Sequence, residues 1–161
     1  MTETVERKLV LTRVLSAPRD IVYRAWTEPQ SLGWFLNPER PLPAQPIEVD
    51  LRVGGAWRLL MDVNADLQYM TGGVYREIVP GERLAFTWGA VGGWPEIDAE
   101  HPDDGILVTV TLSDLADGKT EMLFEVELPE RFTADEVRDW FEMGIHDGWS
   151  MTIDRLVTKF A

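Results

Sequence analysis

The chain has no cysteine. Disulfides and thiolate chemistry are therefore excluded, and any zinc site would have to rest on histidines and carboxylates. Histidine is scarce too, with two residues, His101 and His146. No apolar run approaches the roughly 18 residues that a membrane span needs. The first residues, Met-Thr-Glu-Thr-Val-Glu-Arg-Lys, hold no apolar signal core, so a cytoplasmic location is expected. Positive charge is the other shortage: 15 basic residues stand against 28 acidic ones, a net charge of −13. That balance repels phosphate backbones and anionic lipid, which argues against nucleic acid and membrane as partners. It leaves solubility, or a basic protein partner, as the meaning of the charge.

What the chain does have is apolar patterning. At 161 residues it is long enough for one domain with a sizeable core, and one domain over residues 1–161 is expected. Glu6 to Leu15 is rich in aliphatic and β-branched residues and reads as a strand. Pro18 suits a helix start, and Asp20 to Trp26 reads as a short helix that Pro29 ends. A second short helix fits Gln30 to Phe35. Prolines make Asn37 to Pro46 a loop.

Strands follow. Ile47 to Arg52 alternates apolar and polar residues. Gly54-Gly55 breaks it, and Ala56 to Asp62 carries Trp57, Leu59 and Met61 on one face. Gln68 to Ile78 is a strand in which Gly72-Gly73 signals a bulge or a close backbone approach. Arg83 to Trp88 puts Leu84, Phe86 and Trp88 on one face. Gly105 to Ser113 and Thr120 to Leu128 are joined by Ala116-Asp117-Gly118, a hairpin signal. Between strands, Gly89 to Asp104 is a long acidic loop with Trp94, a mobile segment or a lid.

The last stretch, Thr133 to Phe160, opens with a capping box, Thr133 and Glu136. Val137, Phe141, Ile145, Trp149, Ile153, Leu156 and Phe160 then make one apolar stripe, predicting a single helix roughly 40 Å long. Hairpin-linked strands pair antiparallel, and only this helix is large enough to cover their apolar face. The expected fold is α+β: a curved antiparallel sheet of about seven strands gripping a long C-terminal helix, with two short helices after the first strand.

Four motifs resemble one family. Ser16-Ala17-Pro18 with Val22-Tyr23-Arg24-Ala25-Trp26-Thr27 is similar to the first helix of SRPBCC, or START-like, proteins. Gly54-Gly55-Ala56-Trp57-Arg58 is similar to a Gly-Gly-x-aromatic strand start. Gly73-Val74-Tyr75-Arg76-Glu77-Ile78 and Arg83-Leu84-Ala85-Phe86-Thr87-Trp88 resemble the next hairpin. His146-Asp147-Gly148-Trp149 resembles the His-x-Gly-Trp signature of the terminal helix. The series is identified with the subfamily named for the activator of the ninety-kilodalton heat-shock protein ATPase. The resemblance implies a helix-grip fold with an apolar cavity between sheet and C-terminal helix. The loop Gly89 to Asp104 departs from the family by its length. The name alone transfers no co-chaperone activity.

The expected function is binding of a small hydrophobic ligand. Its candidate site is Trp57, Leu59, Met61, Tyr75, Phe86, Trp88 and Phe124 on the strands, with Phe141, Ile145, His146 and Trp149 on the helix. The alternative for these positions is an ordinary packed core. The gap is expected beneath Gly144 and Gly148, facing Trp57 and Trp88. Those glycines each cost a helix about 1 kcal/mol, which close packing or a ligand would have to offset.

Two other functions compete: a polyketide cyclase or dehydratase using His146 or a tyrosine, and a chaperone-binding module. His146 has no nucleophile or base pattern around it, so no catalytic residue is assigned. No cofactor or metal is expected. Asp62-Val63-Asn64-Ala65-Asp66 starts like a calcium loop but has Leu67 and Gly73 where Gly and Glu belong. His101-Pro102-Asp103-Asp104 has no second cluster to complete a site. Gly54-Gly55 precedes a strand, not the helix of a phosphate loop. A homodimer is a further alternative, since related folds often dimerise.

Overall fold

The structure is a computed structural model that describes residues 7–28, 31–32, 34, 47–64, 66–88, 106–130, 132–142 and 144–160, without the side chains of 59, 61–64 and 67–70. The strands are β1 (Lys8–Leu15), β2 (Glu48–Val49), β3 (Ala56–Asn64), β4 (Leu67–Val79), β5 (Arg83–Trp88), β6 (Ile106–Asp114) and β7 (Thr120–Glu127). Helix α1 (Arg19–Thr27) follows β1, and α2 (Ala134–Glu142) and α3 (Ile145–Lys159) follow β7. The strands form one seven-stranded sheet in the order β1-β7-β6-β5-β4-β3-β2. Every pairing is antiparallel. The α+β fold expected from the sequence is the fold observed.

Register explains the core. Leu9, Val126, Val108, Phe86 and Tyr75 are successive cross-strand partners over five strands. Leu11, Phe124, Val110 and Leu84 make the next row. Every one of these side chains is buried. Strand alternation sends their neighbours to the other face, where Val10 and Val14 are exposed and Lys8 pairs with Glu125. The inward face is closed by Val22, Ala25 and Trp26 of α1 and by Ile145, Trp149, Ile153 and Leu156 of α3. On α3 those residues recur at fours and threes, so one stripe meets the sheet.

The single terminal helix is a correction. Its apolar spacing is real, but the helix stops at Glu142 and restarts at Ile145. Gly144 stands between with φ 94°, a left-handed conformation in which glycine avoids the usual steric cost. The capping box forms as expected: the Glu136 amide donates to Thr133 Oγ1 at 3.1 Å and the Thr133 amide to Glu136 Oε1 at 3.2 Å. The expected strand at Ile47 to Arg52 shortens to Glu48–Val49, because the chain turns at Arg52, whose amide donates to the Asp50 carbonyl at 2.9 Å. Half of the second short helix, and the Gly89 to Asp104 loop with His101, fall outside the described residues.

The glycine pair at 72–73 has its cause at Gly73. A Cβ there would land on the backbone carbonyl of Thr87. Beside it the Val74 amide donates to Thr87 Oγ1 at 2.9 Å. This is the close backbone approach of the two expected alternatives. The strand irregularity lies further on, between Tyr75 and Glu77. At the other hairpin, Asp117 and Gly118 both have positive φ, 66° and 71°. Asp and Gly are the residues that accept that conformation.

Candidate functional site

Phe86 lies on β5, the central strand of the seven. Its side chain is a hub. Trp57 meets it edge-on at 5.2 Å between centroids, Tyr75 edge-on at 6.2 Å, and Trp26 tilted at 6.1 Å. These offset and edge arrangements are the favoured ones for aromatic quadrupoles. Each partner arrives by its own route. Tyr75 is the β4 residue opposite Phe86. Trp57 on β3 sits opposite Gly73 of β4. Trp26 is the last apolar residue on the buried face of α1.

The aromatic contacts continue toward the C-terminal helices. Trp26 stacks on Phe124 at 6.0 Å, and Phe124 meets Trp149 of α3 at 4.9 Å. Trp149 contacts Trp88 edge-on at 5.1 Å, and Trp88 reaches Trp140 of α2 at 6.3 Å. Beneath α3, therefore, rings of the described residues pack against one another.

A gap lies at the other end of this ring series. A cavity of about 10 Å³ is lined by Trp26, Leu32, Trp57, Tyr75 and Phe86. That is about the room one water needs. It sits between α1 and the β3–β5 side of the sheet. On the α3 side, where the sequence led us to expect a gap beneath Gly144 and Gly148, Trp149 meets Phe124 and Trp88.

The expected site residues divide accordingly. Trp57, Tyr75 and Phe86 line the cavity. Phe124 and Trp149 are buried and Trp88 half-buried in the ring cluster. Ile145 is buried and Phe141 partly buried against the same core. His146 turns outward, its side chain 54% exposed, with Nδ1 3.7 Å from Asp147 Oδ1. The side chains of Leu59 and Met61 lie outside the described residues. Trp26 and Leu32 were not anticipated. The available signal was the Val22, Ala25, Trp26 spacing of three and four, which marks a buried face of α1.

Tyr75 is the titratable group of the cavity wall. Burial raises its pKa above the ordinary tyrosine value, and Tyr23, once ionised, and the Asp50 carboxylate add to the rise. Its hydroxyl is neutral near pH 7, able to donate a proton in a hydrogen bond and unable to act as a base. Trp26 Nε1 is buried with no hydrogen-bond partner among the described residues. Trp34 differs: its Nε1 donates to the Ala25 carbonyl at 2.8 Å. Among the described residues no group of three or more His, Asp or Glu side chains could hold a metal ion. No helix among them is long and apolar enough to cross a membrane.

Sequence comparison then decides the family. Residues 16–161 match the family described as Activator of Hsp90 ATPase homolog 1-like protein. The chain belongs to that family. Among curated proteins, none matches it. A solved structure from Chromobacterium violaceum is similar at 27% identity and TM-score 0.67, covering 96% of this chain and 97% of that one. An Hsp90 activator from Plasmodium falciparum is similar at 18% identity and TM-score 0.54, covering 79% and 76%. DynU16, a protein in the dynemicin biosynthetic locus, is similar at 19% identity and TM-score 0.64, covering 96% of this chain and 47% of that one. At the last two identities the likeness is one of fold. The family accounts for the shared architecture. It does not say what this member binds.

Proposed function

We propose that this member of the family binds a small hydrophobic ligand on the inward face of its sheet, in an enlarged form of the cavity between α1 and β3–β5. The observation that carries the reading is the aromatic wall of Trp26, Trp57, Tyr75 and Phe86 around space that the core leaves unfilled. Cores normally close to near-crystalline density, so unfilled space among large rings is a place that an apolar molecule can widen. Leu32 is the wall most able to yield, because it comes from the segment after α1 and not from the hydrogen-bonded sheet. Single-domain organisation over residues 1–161 and a cytoplasmic location belong to the same proposal.

The test is titration with N-phenyl-1-naphthylamine, an uncharged probe that fluoresces in apolar surroundings. We expect saturable enhancement at micromolar probe, abolished in a Leu32→Trp variant that fills the gap. An unsaturable response, or one that the variant leaves intact, would refute the site. Native mass spectrometry of protein from its own host then looks for a retained small molecule.

A second reading is a chaperone-interaction module, favoured by the family match and by the fold shared with the Plasmodium falciparum activator. The charge of −13 would suit a basic partner surface. A homodimer is compatible with either reading. The cyclase alternative has less support, since His146 is exposed and Tyr75 is held neutral.

A further inference from the structure

The orphaned indole of Trp26 says something about the chemistry of the ligand. Trp26 is 4% exposed, and its Nε1 finds no acceptor among the described residues. A buried donor left unpaired is costly, and native proteins seldom keep one without reason. The neighbouring Trp34 shows that this part of the fold can satisfy an indole, because the Ala25 carbonyl accepts the hydrogen bond that its Nε1 donates. Trp26 lines the cavity, and the cavity has room for one oxygen-sized atom. Around that room the walls are rings: Trp57 edge-on to Phe86, Tyr75 edge-on to Phe86, and Trp26 tilted against it.

We infer that the ligand is an uncharged aromatic molecule bearing a carbonyl or ether oxygen, and that this oxygen accepts the Trp26 Nε1 hydrogen. The inference rests on the ligand-binding reading above and narrows it. The ring of such a molecule finds aromatic edges and faces to pack on. Its oxygen satisfies a buried donor of the cavity wall that has no acceptor among the described residues. A carboxylate is disfavoured, because the five lining residues carry no positive charge and burial already holds the Tyr75 hydroxyl in its neutral form. A plain hydrocarbon would fit the rings but leave Trp26 unpaired.

Three probes of nearly equal size separate the possibilities: acetophenone, ethylbenzene and benzoate. They are titrated at neutral pH against the full chain, with binding followed on the indole N–H resonances in ¹H–¹⁵N spectra. Acetophenone should bind and move the Trp26 N–H resonance downfield. Ethylbenzene should bind without that shift, and benzoate should bind at least about tenfold more weakly than acetophenone. Trp26→Phe keeps a ring and removes the donor. It should weaken acetophenone about tenfold more than it weakens ethylbenzene, the loss expected for one neutral hydrogen bond.

The inference is overturned if Trp26→Phe weakens both probes equally, or if acetophenone binds without moving the Trp26 resonance. In either case the ligand-binding reading stands. If no probe binds, both fail together. Trp26 also packs on Phe124 and Trp34, so Trp26→Phe could unfold the protein; the shift in the unaltered protein then decides alone.

Discussion

Tyr75 is the residue whose surroundings most change its chemistry. Its ordinary pKa is 10.0, and burial, joined by the charges of Tyr23 and Asp50, raises it in the folded protein. For a group raised on folding, the full contribution to stability is present below the unfolded pKa. It is lost as pH climbs from there through the folded value. Above pH 10 the unfolded chain releases this proton while the folded chain retains it. Stability should therefore fall with a slope of up to about 1.4 kcal/mol per pH unit from this one group. Tyr75→Phe removes that dependence, and urea titrations from pH 9 to 11 should show a flatter decline in the variant. Equal slopes would mean that the hydroxyl is hydrated in the folded state.

Trp26 teaches a related lesson. Its burial could be inferred from the spacing on α1, but whether its Nε1 finds an acceptor depends on which carbonyls lie nearby in space. Trp34 obtains one from Ala25 and Trp26 does not. His146 shows the reverse: the signature His-x-Gly-Trp suggested a site, yet on a helix neighbouring residues diverge. Ile145 and Trp149, four residues apart, share the buried face, and His146, one residue on from Ile145, is exposed.

At the scale of elements, Gly144 and Gly148 look alike in the sequence and have opposite roles. A Cβ at either position would meet nothing within 4 Å, so neither glycine makes room for a tightly packed neighbour. The close-packing explanation expected from the sequence is overturned. Gly144 is needed for its backbone, at φ 94° where the chain passes from α2 to α3. Gly148 lies inside α3, exposed. Gly144→Ala should therefore destabilise by about 1–2 kcal/mol, and Gly148→Ala should stabilise by up to about 1 kcal/mol. Chemical denaturation of the pair checks both signs, and two changes of the same sign would contradict the assignment. The break itself was hidden because Phe141 and Ile145 keep the four-residue spacing across it. Apolar periodicity reports which face is buried and is blind to one left-handed residue between two helices.

The sheet was more legible. Strand alternation and turn chemistry are local, so the strands and the Asp117-Gly118 turn followed from short windows of sequence. The capping box was legible for the same reason, since Thr133 and Glu136 are three residues apart.

At the scale of the molecule the dominant quantity is the charge of −13. The ion pairs are mostly at the surface: Arg13 with Asp154 at 3.1 Å, Arg19 with Asp114 at 2.9 Å, Arg52 with Asp50 at 2.9 Å. Pairs of this kind contribute about 0–1 kcal/mol each, and salt weakens them. Net repulsion acts over the whole surface, and raising salt from 0.01 to 0.15 M shortens the screening length from about 30 Å to about 8 Å. Relief of repulsion should win. We expect Tm to rise by about 2–4 °C, which corresponds to about 1 kcal/mol for a chain of this size. A fall in Tm on adding salt would show that the ion pairs outweigh the repulsion.

Sequence alone determined the fold class, the seven strands, the inward faces and the aromatic character of the interior. These depend on periods of two and of three to four residues, which any short window displays. Tertiary structure decided where the interior is full and where it is not. Trp57, Tyr75 and Phe86 come from three strands, and Trp26 and Leu32 from the segment after β1, so no local pattern encodes the gap among them. The same holds beneath α3, where Trp149, Phe124 and Trp88 come from three separate elements and meet. Void and contact are properties of shapes brought together by the chain, and they exist only once it has folded.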